Sequence, residues 1–145
     1  HAEFIRYGVM HRNSFLDSPR LLHADYALRG GDQIYFAGQI TGVEGYIESA
    51  ASGILAGKNL ARQLAGLQPL ILPQETMMGA LAAYISDPTV ENFQPMGCNM
   101  GILPDLPERI RDKKQKYQAY ADRALAALDA YLEQVAAQDR GDTEE

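Results

Sequence analysis

The sequence predicts an α/β fold, on three observations. The run Ile34-Tyr35-Phe36-Ala37 is short, apolar and bounded by turn residues, which fits a strand buried on both faces of a helix-covered parallel sheet. It leads directly into Gly38-Gln39-Ile40-Thr41-Gly42-Val43-Glu44-Gly45-Tyr46, after which a helical pattern of about twenty residues begins. With 145 residues, 46% of them apolar and 22% charged, the chain can bury one core, and wholesale disorder is excluded.

Composition also limits function. A net charge of −6 argues against a surface that grips nucleic acid all over, while leaving room for a local basic patch. The single cysteine, Cys98, rules out an internal disulfide framework and any CxxC metal or redox motif, so no metal site is expected. Uncharged runs such as 63–74 are too short to span a bilayer, and no signal-peptide pattern opens the chain. A cytoplasmic protein with no membrane association is the expectation. The chain opens on His1 and enters at once into the apolar stretch Phe4 to Met10. Termini usually start with a few polar residues. A trimmed tag and the C-terminal piece of a longer polypeptide both fit, and the second is favoured.

Residues 2–13 alternate loosely and read as a strand entering the polar turn His11-Arg12-Asn13-Ser14. Ser18-Pro19-Arg20-Leu21-Leu22 starts a further extended segment, and Leu28 to Asp32 reads as a turn. The helix after Tyr46 places Ile47, Ala50, Ala51, Ile54, Leu55, Ala61 and Leu64 mostly at three- and four-residue spacing, predicting one buried apolar face. Gly45, Ser49, Gly53, Gly57 and Ala61 form a ridge of small residues, where a second backbone is expected to pack close, and Gly66 stops the helix. A second helix runs from about Gln74 to Ile85, with Met77, Leu81 and Tyr84 or Ile85 inward, and ends at Asp87-Pro88. Phe93 to Pro104 is an ordered loop. Asp105 and Glu108 are spaced as a capping box for a long third helix with Ile110, Tyr117, Ala121, Ala124, Leu125, Leu128, Tyr131 and Val135 on one face. Residues 138–145 read as a frayed acidic tail.

A strand, a glycine-rich turn and a helix in succession aim the first helical amides and the positive dipole end at the open edge of a sheet. That arrangement suits an anion or an electron-rich heteroatom edge, and glycines let a flat ligand approach the backbone. A bare connection with no ligand reads equally well. The glycines at 38, 42 and 45 do not match the dinucleotide fingerprint.

The string GQITGVEGYIESAASGILAGKNLA closely resembles a flavin-contacting segment of the TrmFO family, the folate- and FAD-dependent tRNA uracil-5-methyltransferases. AEFIRYGVMHRNSFLDSPRLL, LPQETMMGALAAYIS and FQPMGCNMGILP extend the likeness over residues 2 to about 132. The related GidA/MnmG-type flavoproteins share the glycine skeleton, but Val43-Glu44-Gly45-Tyr46 and GVMHRN resemble the methyltransferase branch.

The resemblance implies the C-terminal part of a GidA-like FAD/NAD(P)-binding Rossmann-type fold with a C-terminal helical segment. It divides the chain into return strands (1–30), the end of the FAD-binding domain (31–68), a helix-and-loop segment (69–138) and an acidic tail (139–145). The implied reaction puts a methyl on C5 of a T-loop uridine in tRNA. 5,10-Methylenetetrahydrofolate supplies the carbon, and FAD is reduced by NAD(P)H. Gly38, Gln39, Ile40, Thr41, Gly42, Val43, Glu44, Gly45 and Tyr46 would face the cofactor. Tyr46 would stack on the ring or pack beneath it, and Glu44 would sit in the first helical turn. His11, Arg12 and Asn13 would line the folate or flavin pocket, or only form a hydrogen-bonded turn. No catalytic residue is expected in this chain, and Cys98 reads as a small loop residue. Arg109, Lys113, Lys114 and Lys116 would touch RNA, with Arg109, Lys113 and Lys116 on one helical side and Arg111 pointing elsewhere; a solvated helix face is the plain alternative. The expected partners are tRNA and the N-terminal portion of the same protein, with self-association of the piece on its own. The rivals are a GidA-like wobble-uridine-modifying flavoprotein and a non-enzymatic RNA-binding module.

Overall fold

The computed structural model describes residues 14–142. The strand expected over 2–13 and the candidates His11, Arg12 and Asn13 lie outside those residues. Four α-helices follow in order: α1 (Ser18–Leu21), α2 (Tyr46–Leu64), α3 (Met77–Ser86) and α4 (Lys113–Asp142). Short 3-10 turns occupy Gly38–Thr41 and Met100–Ile102.

The expected α/β character does not appear among the described residues, where pairing is limited to isolated bridges. Leu22 meets Leu28 and Ala27 meets Tyr35, both antiparallel, and Val43 meets Met96 in parallel. Left-handed residues at Tyr26 (φ 72°) and Gln33 (φ 59°), with a turn closed by Gly31 N to Leu28 O, fold 22–36 into a compact loop in which no ladder can grow. Ile34 is exposed rather than buried on both faces. The extended segment expected at Ser18 is instead α1, helped by a proline in its first turn, where φ near −65° suits a helix.

α3 follows the sequence closely. Thr76 caps it by accepting from Gly79 N at 3.0 Å, and Leu81 and Ile85 are fully buried. They join Tyr26, Val43, Ala56, Ala82 and Phe93 in the main core, where Phe93 packs edge-on to Phe15 at 5.9 Å. Gly79 lies so close to Pro73 that an added Cβ would stand 2.0 Å from the Pro73 carbonyl oxygen.

α2 has the expected length and stops at Ala65 and Gly66, with Gly66 at φ +74°. Its buried face is different from the one read in the periodicity. Ser52, Ala56 and Asn59 point inward, while Ile47 (82% exposed), Ile54 (61%) and Leu64 point outward. Gly53 and Gly57 have open space beside them, so among the described residues no backbone packs on that part of the small-residue ridge, and only its Ser49 end meets Gly38. Hydrogen bonds fix the rotation. Asn59 Nδ2 donates to Asp25 O and Leu70 O, and its Oδ1 accepts from Leu70 N at 2.7 Å. Three satisfied bonds around the buried amide fix this face inward, since turning it away would leave buried donors and acceptors without partners.

α4 starts five residues beyond Glu108. Asp112 accepts from Gln115 N at 2.8 Å and acts as the cap, so Asp105 and Glu108 do not form the expected capping box and Ile110 precedes the helix. Tyr120 is buried with Ala80 and Leu103, whereas Tyr117 and Leu125 face outward. Arg123 donates to Pro104 O and Asp105 O, and Ile71 N donates to Tyr131 Oη. Arg62 of α2 makes a two-pronged ion pair with Asp139 at 2.6 and 2.7 Å. That pair holds part of the expected frayed tail in the helix as far as Asp142. Among the described residues, no helix is long and apolar enough to cross a membrane.

Candidate functional site

The turn leading into α2 is closed on itself by hydrogen bonds. Gly38 N donates to Ser52 Oγ at 2.8 Å, and that hydroxyl donates on to Ser49 O. Thr41 Oγ1 donates to Gly38 O at 2.7 Å. Met96 N donates to Gly42 O and Glu44 N donates to Met96 O, which clasps Val43 between the turn and the 93–96 loop. The nine residues singled out in the sequence thereby separate into two sets. Thr41, Gly42 and Val43 are buried in the core, and Gly38 is half-buried. Gln39, Ile40, Glu44, Gly45 and Tyr46 are exposed, Tyr46 almost completely at 98%.

The glycines have different tasks. Gly42 sits at φ +82°, and a Cβ there would stand 2.5 Å from the Phe93 ring. It clears space for that ring. Gly45, at φ +97°, is the N-cap of α2 and offers no side chain to cap it. The first amides of α2 have no intrahelical acceptor and point out of the helix end. Beside them Gln39, Gly45, Tyr46 and Ser49 line a shallow hollow of about 230 Å3.

Glu44 precedes the helix, which corrects its expected place in the first turn; the acid there is Glu48. The Glu48 carboxylate folds back over Gly45. It already occupies the position favoured by the helix dipole, so the hollow suits an electron-rich ring edge better than a second full negative charge. The residues fit the edge of a flavin on this ground. Cys98 lies half-buried with its Sγ 4.0 Å from Met78 Sδ. Burial, and then the Glu48 carboxylate, push its thiol pKa up, the reverse of what a nucleophile needs.

The basic candidates fall in a loop and a helix start rather than on one helix. Arg109, Ile110 and Arg111 of the loop, with Lys113, Lys116 and Tyr117 of α4, line an open cleft of about 520 Å3. Arg109, Lys113 and Lys116 are brought together as expected. Arg111 joins them, against expectation, and Lys114 is not among the lining residues. Sequence periodicity missed Arg111 and Tyr117 because it assumed that the helix began before residue 109. It missed Asn59 because a polar residue inside a helix carries no sign of what it will bond.

Residues 1–68 match the family model described as Glucose inhibited division protein A. Curated relatives named methylenetetrahydrofolate–tRNA-(uracil-5-)-methyltransferase TrmFO match most of the chain. The Enterococcus faecalis protein is 58% identical over 124 residues, covering 86% of this chain and 28% of its own length. Across nine-tenths of its length, this chain resembles the TrmFO family. The Lactiplantibacillus plantarum protein is 54% identical over 92% of the chain, and the Staphylococcus epidermidis protein 55% over 90%. The chain spans about three-tenths of the length of these TrmFO relatives.

Proposed function

We propose that this chain supplies the flavin-edge and RNA-facing part of an enzyme that methylates C5 of a T-loop uridine in tRNA. Methylenetetrahydrofolate is the carbon donor in this reading, and FAD reduced by NAD(P)H supplies the electrons. The observation that carries it is identity of 54–58% over 86–92% of the chain to proteins named for that reaction. The hollow at the α2 start supports it. Gln39, Gly45 and Tyr46 would hold the cofactor's ring edge, its electron-rich heteroatoms turned toward the first amides of the helix.

The outward face of α2 supports the same reading from another direction. Tyr46, Ile47 and Ile54 belong to a surface that packs against further parts of a TrmFO-length polypeptide. In that setting Ile34 to Ala37 gains strand neighbours and the Rossmann-type sheet forms. In this reading the chain contributes no nucleophile of its own, and Cys98→Ser in the complete enzyme should leave methyl transfer nearly intact.

The test replaces the matching segment of the Enterococcus faecalis relative with this chain. The expected product is a yellow protein that forms 5-methyluridine in the T-loop. Tyr46→Ala and Gln39→Ala should lower flavin absorbance per mole of folded protein. A chimaera that folds and holds flavin but leaves the T-loop uridine unmodified overturns the reading. The family match over residues 1–68 favours one second reading, a GidA-like enzyme acting on wobble uridine, and modification at that position in the same assay would select it.

A further inference from the structure

Five of the chain's thirteen Lys and Arg residues fall between 109 and 116, although the chain as a whole carries a charge of −6. Helix periodicity alone would put Arg109, Lys113 and Lys116 on one side and turn Arg111 away. The structure instead gathers four of them, because the helix begins only at Lys113 and the preceding loop turns Arg109 and Arg111 toward the same cleft as Lys113 and Lys116. Among the described residues, none of the four makes an ion pair. Of the nearby acids, Asp112 spends its carboxylate on capping Gln115 N, while Asp105 and Glu108 line the adjoining hollow beside Arg109 and Lys116 without pairing with either. Four cations without an ion-pair partner around one hollow repel each other, and a bound polyanion relieves that repulsion.

The cleft is not only basic. Ile110 and Tyr117 form its apolar wall, with Tyr117 43% exposed and the Lys113 ammonium 5.5 Å from its ring centre. A phosphate ion or an acidic peptide would use the cations and leave that wall idle. A nucleotide uses both, since phosphates pair with Lys and Arg while a base lies on an aromatic face.

We propose that this cleft holds an unpaired nucleotide of an RNA strand, its flanking phosphates on Arg109, Arg111, Lys113 and Lys116 and its base against Tyr117 and Ile110. The inference rests on RNA being the substrate, and it adds where the strand is held and in what state. In a duplex the base faces are stacked and unavailable to Tyr117.

The test is fluorescence anisotropy of the 145-residue chain with a labelled single-stranded RNA, its duplex form and polyglutamate, at two salt concentrations. Circular dichroism confirms that each variant keeps its helix content. Arg109→Gln with Lys113→Gln should weaken single-strand binding at least tenfold. It should also flatten the salt dependence by roughly 1.4 log units, about 0.7 for each phosphate pairing removed. Lys58→Gln with Arg140→Gln makes the same charge change elsewhere and should bind like the parent. Tyr117→Ala should cost roughly tenfold and Tyr117→Phe should restore it. A parent chain that ignores RNA, equal losses in both double variants, equal binding of duplex or polyglutamate, or an unaffected Tyr117→Ala each overturns the proposal. No flavin and no methyl transfer enter this measurement, so its failure leaves the flavin reading standing, and failure of the chimaera leaves the cleft standing.

Discussion

α3 and α2 are both rich in alanine, glycine and large aliphatic residues, yet they bury opposite kinds of side chain. α3 puts Leu81 and Ile85 into the main core and keeps Gly79 against the Pro73 carbonyl. α2 turns Ser52 and Asn59 inward, where hydrogen bonds hold them, and leaves Ile47, Ile54 and Leu64 in solvent. One helix is retained by apolar burial. The other is wired in through polar groups and leaves its apolar side exposed. A hydrophobic stripe therefore does not say which face of a helix the chain itself buries.

The largest expected effect separates the two helices directly. Leu81→Ala should destabilise the chain by about 2–5 kcal/mol, whereas Ile54→Ala should stay within about 0.5 kcal/mol. Urea melts of the two variants decide it, and equal losses would erase the contrast. The same Ile54→Ala change in the TrmFO-length chimaera should become costly. In the 145-residue chain, Ile47→Ser with Ile54→Ser should reduce self-association in sedimentation.

Asn59→Ala comes next, at about 2–3 kcal/mol, because it leaves the Leu70 amide and two carbonyls without their partner. A loss below about 0.5 kcal/mol in the same melts would mean that α2 is not held by its polar side. Glycine replacement then gives effects of opposite sign. Gly79→Ala should destabilise by about 1–3 kcal/mol through its clash with Pro73, and Gly57→Ala should stabilise by up to about 1 kcal/mol. Thermal unfolding of the two variants reads both signs.

These contrasts separate what residue pattern alone carries from what it does not. α3 was legible because its apolar spacing and its Asp87-Pro88 stop act locally; its start is read about three residues early because the spacing does not reveal the Thr76 cap. The length of α2 was legible for the same reason, through Gly45 and Gly66. Its rotation was not, since Asn59 chooses partners 34 and 11 residues away. The Ile34 strand does not form among the described residues because a strand needs neighbours, and here the paired segment offers a single rung at Ala27. In the candidate site, the glycine-rich turn and its helix start were visible. The division into a buried Thr41-Gly42-Val43 and an exposed rim was not, because Phe93 and Met96 impose it from another loop. The basic cleft was half visible: its charges were plain, but Asp112 decides where the helix begins.

The smallest expected effect concerns the far end of α2. Hydrogen bonds from Arg62 hold the Asp139 carboxyl below its usual pKa. A depressed folded pKa contributes stability above the ordinary carboxylate range, and that contribution fades as pH falls through the lowered value. Amide exchange in the last two turns of α4 should therefore quicken on acidification, relative to the first turns. Asp139→Asn should show the faster exchange already at neutral pH.

Mechanically, α4 behaves as a strap fastened at intervals. Its thirty residues span about 45 Å, and its fastenings at Arg123, Tyr131 and Asp139 are each eight residues apart. A load applied at the carboxyl end meets Asp139 first, then Tyr131, then Arg123. The helix should peel in steps instead of detaching at once, with the buried Tyr120 released last. Extensions or cuts beyond residue 142 are thereby insulated from the opposite end, where the four cations converge.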